Sequence, residues 1–170
     1  MTTSKQTHND LSITLRVLAR LLQYPDADNR AHLQEMRAAL HGARAIGRQR
    51  LAELDALIDS QLAQSPIDAE ADYVQLFDCG RATSLHLFEH VHGDSRERGP
   101  AMVDLTQTYE RAGLLLDPAE LPDHLPVVLE FASTQPAAAA REFLAETAHI
   151  VRAIFSALQQ RGSAYASVLG

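Results

Sequence analysis

Asp10-Leu-Ser-Ile-Thr-Leu-Arg-Val-Leu-Ala-Arg-Leu-Leu22 decides the fold. Leu11, Leu15, Leu18 and Leu22 follow one another at intervals of four, three and four residues, which puts them on one face of an α-helix. Asp10 is placed to cap that helix. Pro25 ends it, because the residue ahead of a proline is pushed out of the α region.

The same period recurs outward from this segment. A second helix is expected over about 28–42, with Leu33, Met36 and Leu40 on one stripe, and a third uses Leu51, Leu54, Leu57, Ile58 and Leu62. Ser65-Pro66 joins a capping hydroxyl to a proline at the first helical position, and opens a helix carrying Tyr73, Val74 and Phe77. After the break 78–83, Ser84 is placed to cap a helix through His90. Pro100 opens another that ends at Gly113. Asp123 is expected to cap a helix through about Ser133, with Pro126 in the first turn where its missing N–H costs little. A last helix spans about 137–160. Strict alternation is almost absent. The expectation is an all-α, single-domain bundle of about eight helices over 1–170, with the polar N-terminus 1–9 left open between order and disorder.

Composition narrows the function. A chain of 170 residues is long enough for one sizeable core. Trp is absent and aromatics are few, so the apolar mass is aliphatic and favours helix. Cys79 is the single cysteine, which excludes an intramolecular disulfide. No apolar run approaches the roughly 18 residues of a membrane span, and the polar N-terminus does not read as a signal peptide. A cytoplasmic protein, not a membrane protein, is expected. The net charge of −7 argues against nucleic acid as a partner. Residues 1–65 hold 8 basic and 7 acidic groups, whereas residues 66–170 hold 7 basic and 15 acidic. That acidic half either attracts a basic peptide or serves solubility.

Three clusters in that half place ionisable residues beside apolar ones: Tyr73-Val-Gln-Leu-Phe-Asp78, His86-Leu-Phe-Glu-His-Val-His-Gly93, and Pro122-Asp-His-Leu-Pro126 followed by Leu129-Glu-Phe131. His86-x-x-Glu89-His90 matches an inverted zinc-protease motif, with both imidazoles on one helix face and Glu89 as base. Only three positions are fixed, however, and no third ligand is evident, so half-buried histidines at a helix end or groove are the preferred reading. Asp123-His124 suggests an oriented imidazole, but adjacent helical residues do not face each other. Capping by Asp123, and a neutral His124 at a helix N-terminus or a groove edge, fit better. Cys79 lacks a resolving partner and reads as incidental. Leu76-Phe77, Leu87-Phe88 and Leu129 with Phe131 read as core. Nucleotide-glycine and phosphate-loop patterns do not occur, so no cofactor and no metal is expected.

In order and spacing these clusters, with Asp94-Ser-Arg96, Arg98-Gly99, Ala101-Met-Val-Asp-Leu105, Tyr109-Glu110, Ala112-Gly-Leu114 and Leu22-Gln-Tyr-Pro25, resemble the NarJ-type branch of the TorD-like chaperones. The resemblance is specific over about residues 73–131. It implies an all-helical assembly chaperone that binds the N-terminal segment of the apo catalytic subunit of respiratory nitrate reductase. Such a protein holds that subunit open for molybdenum cofactor insertion and delays membrane attachment. A dimethyl sulfoxide or trimethylamine oxide reductase is the alternative client. In the wider family Pro122-Asp123-His124 corresponds to a region associated with peptide recognition. Cys79 departs from the pattern, where a basic residue is expected, and the stretch after Phe131 is shorter than in many members.

Chemistry and proximity in the motifs add Glu89, His90, His92, Tyr73 and Arg81 to Asp123 and His124 as expected client contacts. The expected mode is an amphipathic client helix in an apolar groove rimmed by acidic groups and histidines. His90, His92 and His124 would then make affinity pH-dependent between about 6 and 7.5. The protein is expected to be a monomer or a domain-swapped dimer.

Overall fold

A computed structural model gives the structure and describes residues 2–170, with side chains from Gln6 onward. Among the described residues there are ten α-helices: α1 (Thr2–Leu21), α2 (Ala27–Ala31), α3 (Leu33–Ala43), α4 (Arg48–Ala63), α5 (Pro66–Tyr73), α6 (Leu87–Val91), α7 (Arg98–Arg111), α8 (Leu125–Thr134), α9 (Ala137–Gln160) and α10 (Ala166–Leu169). A π-helical turn, Val74–Asp78, continues α5, and a 3₁₀ turn spans Arg81–Thr83. The one extended pairing among the described residues is a single antiparallel bridge between His86 and His124. The fold is all-α, as the periodicity predicts.

Several boundaries have local causes that the sequence shows. The Ser65 hydroxyl accepts from the Asp68 N–H, with Pro66 in the first turn of α5. α9 covers the expected 137–160. Others differ. α1 begins at Thr2, not at Asp10, because no Gly or Pro interrupts residues 2–9. Asp10 lies inside the helix, where its carboxylate accepts from Gln6 and its carbonyl from Thr14. Met1, the first residue of the polar 1–9 stretch, lies outside the described residues. The expected 28–42 helix is broken at His32, whose Nδ1 donates to the Asp28 carbonyl at 2.8 Å. The cap of the first piece is Asp26, which accepts from the Asn29 N–H.

α1 packs along α8 and α3, and the Ser12 hydroxyl donates to the Ser133 carbonyl at 2.7 Å. Leu22, Leu54, Ile58, Ile154 and Leu158 are fully enclosed in the main core. Each such side chain contributes about 1.5–3 kcal/mol of burial. Phe77, Leu87 and Phe131 are buried as expected, with Leu76, Phe88 and Leu129 partly buried against the core.

The π turn widens the helix where Tyr73 and Phe77 enter that core. Their rings lie 4.8 Å apart, and Tyr165 meets Phe77 edge-on at 5.0 Å. The Tyr73 hydroxyl donates to the Leu22 carbonyl at 2.7 Å, and the Thr83 hydroxyl donates to the carbonyl of Leu76 in the widened turn. Tyr73 is therefore a buried tie between the end of α1 and the π turn. The expectation that it touches a client is corrected on that ground.

Two changes test this packing by urea unfolding. Leu158→Ala is expected to lower stability by about 2–5 kcal/mol, the range for emptying a fully buried leucine site. Tyr73→Phe strands the Leu22 carbonyl and is expected to cost about 1–3 kcal/mol with the m-value unchanged.

Candidate functional site

The connection from α7 to α8 builds the site. Gly113, at φ 85°, turns the chain out of α7 in a conformation that disfavours a side chain. The buried Tyr109 hydroxyl then donates to the Pro122 carbonyl at 2.7 Å. Three residues on, the Leu125 N–H donates to the Leu85 carbonyl at 2.8 Å, beside the His86–His124 bridge. Asp123 lies between these anchors and is 0% exposed.

Asp123 does not cap α8, whose N-cap is His124 without a side-chain bond. Instead its carbonyl accepts from the Leu87 N–H at 3.0 Å, and its Oδ2 accepts from the Phe88 N–H at 2.9 Å. Those are the first two amides of α6. Nor does Ser84 cap α6. Its hydroxyl accepts from the His86 N–H ahead of the helix. A helix of five residues is thus capped by a residue 35 positions away.

The imidazole that Asp123 faces belongs to His86 and not to its neighbour His124. His86 Nδ1 lies 3.8 Å from Asp123 Oδ1, an ion-pair separation too long for a direct hydrogen bond. Neither atom has another hydrogen-bond partner among the described residues. The His86 and His124 rings stack at 4.7 Å with 22° between their planes. The Asp123 carboxylate raises the pKa of His86 above its ordinary value, against the opposing effect of burial. Burial, then the nearby His86, pushes His124 down to about 4. Two stacked imidazolium rings would repel, and this environment gives the proton to His86. His124 therefore leaves the window near pH 6–7.5 that the sequence suggested for it.

The remaining expected contacts divide into two groups. Arg81 and Glu89 join His86 along one polar cleft of about 530 Å³, which Asp78, Cys79, Asp94 and Arg98 also line. Within it Arg81 pairs with Asp94 at 3.2 Å and Glu89 with Arg98 at 3.7 Å. His90 and His92 are turned elsewhere. His90 donates from Nε2 to the Ser84 carbonyl at 2.8 Å, while His92 packs against the Phe88 ring and lies 3.9 Å from Glu97. Asp123 is enclosed and presents no surface to a partner. The zinc-motif geometry is corrected too: His86 precedes the helix and is held by Asp123 and His124, so it does not share a helical face with His90. Among the described residues no group of three or more His, Cys, Asp or Glu side chains converges to hold a metal.

The residue-level reading missed an apolar groove of about 590 Å³ between α8, α9 and α10. Leu125, Leu129, Leu144, Val151, Phe155 and Leu169 line it, and its charged lining residues are Arg50 and Arg152. Arginines thus border the groove where acidic groups and histidines were expected, and Asp78, Glu89 and Asp94 line the polar cleft with His86. Arg50 lies over the Phe155 ring, 5.7 Å from its centre. Leu144, Ala148, Val151 and Phe155 recur at helical spacing beside the core stripe Ile150, Ile154 and Leu158, so α9 has an apolar arc wider than one core face needs. That width was the available signal. Groove and cleft are joined at the backbone bridge, where Leu125 lines one and His86 the other.

A sequence profile of the nitrate reductase delta subunit family matches residues 26–169. The nitrate reductase molybdenum cofactor assembly chaperone NarJ of Escherichia coli (strain K12) is 47% identical over 154 residues, which cover 91% of this chain and 65% of that protein. The chain therefore spans just under two thirds of that relative's length. A protein of Bacillus subtilis (strain 168) named "Probable nitrate reductase molybdenum cofactor assembly chaperone NarJ" is 35% identical over 161 residues, covering 94% of this chain and 86% of that one. A solved structure described as a redox enzyme maturation protein from Archaeoglobus fulgidus superposes with a TM-score of 0.62. It covers 93% of this chain and 88% of its own at 21% identity, and it shares the fold. Among the described residues no helix is long and apolar enough to cross a membrane.

The histidine pair has a direct readout. In an NMR titration His86 is expected to titrate above its ordinary value of about 6.5 and His124 near 4. Asp123→Asn should move His86 down. The two linkages have opposite signs. The stabilisation from His86 is fully present below about pH 6.5 and is lost as pH rises through its raised folded value. The stabilisation from neutral His124 is present above about pH 6.5 and is lost as pH falls towards 4.

Proposed function

Since this chain belongs to the nitrate reductase delta subunit family, we propose that it is an assembly chaperone for a nitrate reductase. It binds the N-terminal segment of the apo catalytic subunit, keeps that subunit open while its molybdenum cofactor is inserted, and delays its attachment to the membrane. In this role the protein is a binding partner and catalyses no reaction. The work it does is selective affinity for an immature chain.

The observation that carries this reading is the apolar groove between α8, α9 and α10. A segment that folds on binding presents an apolar stripe at i, i+3, i+4 and i+7, and a trough lined by Leu129, Leu144, Val151 and Phe155 fits such a stripe. Ordering the segment costs part of the interaction energy, which keeps the complex releasable once the client has matured. The neighbouring cleft offers Glu89, Asp78 and Asp94 to basic side chains of the same segment, with Arg81 and Arg98 meeting acidic ones. His90 and His92 act at the edge of that region, and His124 supports it from below.

Calorimetric titration with the N-terminal peptide of the nitrate reductase catalytic subunit from the same organism, with a scrambled control, tests the proposal. The native peptide is expected to bind and the scrambled one to fail. Val151→Glu puts a charge into the apolar wall of the groove and should weaken binding at least about tenfold while circular dichroism stays helical. Unchanged affinity in that variant would sink the groove as the docking site.

A further inference from the structure

We infer that Asp123 is a positioning residue: it reaches the client only through α6 and His86, which it holds from the far side of the fold. The inference rests on the chaperone reading above and changes what the Pro122-Asp123-His124 segment does within it.

The first ground is access. Asp123 is 0% exposed, so no client atom touches it in this arrangement. The second is its use of acceptors. The carbonyl takes the Leu87 N–H, and Oδ2 takes the Phe88 N–H. α6 has five residues, far below the length at which a helix persists alone, so the geometry of its first turn comes from these bonds and from the burial of Leu87. The third is the unused oxygen. Oδ1 has no hydrogen-bond partner among the described residues and is directed at His86 Nδ1, 3.8 Å away. One carboxylate oxygen thus fixes the helix and the other faces the imidazole that precedes it.

What is held matters for recognition. Glu89 on α6 and His86 just before it both line the polar cleft, and Leu125, two residues after Asp123, lines the apolar groove. The aspartate is itself fixed on both sides, by the Tyr109 hydroxyl on the Pro122 carbonyl and by the Leu125 N–H on the Leu85 carbonyl. A displacement of Asp123 would move groups of the cleft and the groove together.

A direct contact and a positioning role predict different responses to charge. If a client cation met the carboxylate, Asp123→Asn and Asp123→Ala would lose affinity alike. A positioning role separates them, because asparagine keeps an acceptor for the Phe88 N–H and alanine does not. In the full-length protein, titrated with the same N-terminal peptide, Asp123→Asn is expected to bind within about threefold of wild type and Asp123→Ala at least about tenfold more weakly. Hydrogen exchange without peptide supplies the second readout. The Phe88 amide should exchange at least about tenfold faster in the alanine variant and near the wild-type rate in the asparagine variant, with the α9 core amides retained. The asparagine variant decides the matter even where alanine prevents folding. Equal loss of affinity in both variants, or a tenfold loss in Asp123→Asn with α6 protection intact, overturns the positioning role. Failure of the wild-type protein to bind the peptide would count against the chaperone reading alone, since the exchange measurement still supports or overturns the hold of Asp123 on α6.

Discussion

A five-residue helix cannot satisfy its own first amides, and in this protein a buried carboxylate elsewhere in the chain satisfies them. The site follows from that constraint. For Asp123 to reach Leu87 and Phe88, the α7–α8 connection must lie against the segment ahead of α6. The Leu85–Leu125 backbone bond and the His86–His124 bridge are the record of that contact. Because the carboxylate is enclosed, its second oxygen is withdrawn from bulk solvent and faces His86. The stacked rings then share a single favoured proton, because burial opposes charge on His124 while Asp123 favours it on His86.

The helices were legible where their signals are local. Ser65-Pro66 marks the start of α5, the proline before Ala137 marks α9, and the apolar intervals of α1 and α4 give their buried faces, apart from Leu62, which is exposed at the end of α4. The boundary signals misled where a side chain had more than one use. Asp10 reads as a cap but lies within α1, because nothing stops the helix over residues 2–9, and Asp123 reads as the cap of α8 but serves α6, because tertiary contact chooses which amide its carboxylate accepts from. Tyr73 shows the same limit. Its motif made it a plausible surface contact, and only the π turn, which spacing does not announce, explains why its hydroxyl points at Leu22.

The charge asymmetry of the chain also reads differently in three dimensions. The acidic half supplies Asp78, Glu89 and Asp94 to the polar cleft, as its composition suggests. The apolar groove is bordered instead by Arg50, from the near-neutral half, and by Arg152. The groove and the cleft therefore mix distant segments, and net charge by halves does not report the potential at either one.

The pairing of α1 with α8 has a consequence for the protein's own synthesis. The Ser12–Ser133 hydrogen bond closes across 121 residues, and the leucine face of α1 packs along a helix made long after α1 itself. At ordinary ribosomal rates of about 5–20 residues per second, that face waits roughly 6–24 s for its partner. During that interval the leucine face of α1 stays uncovered on the nascent chain, an apolar helical stripe still without the helix it packs against.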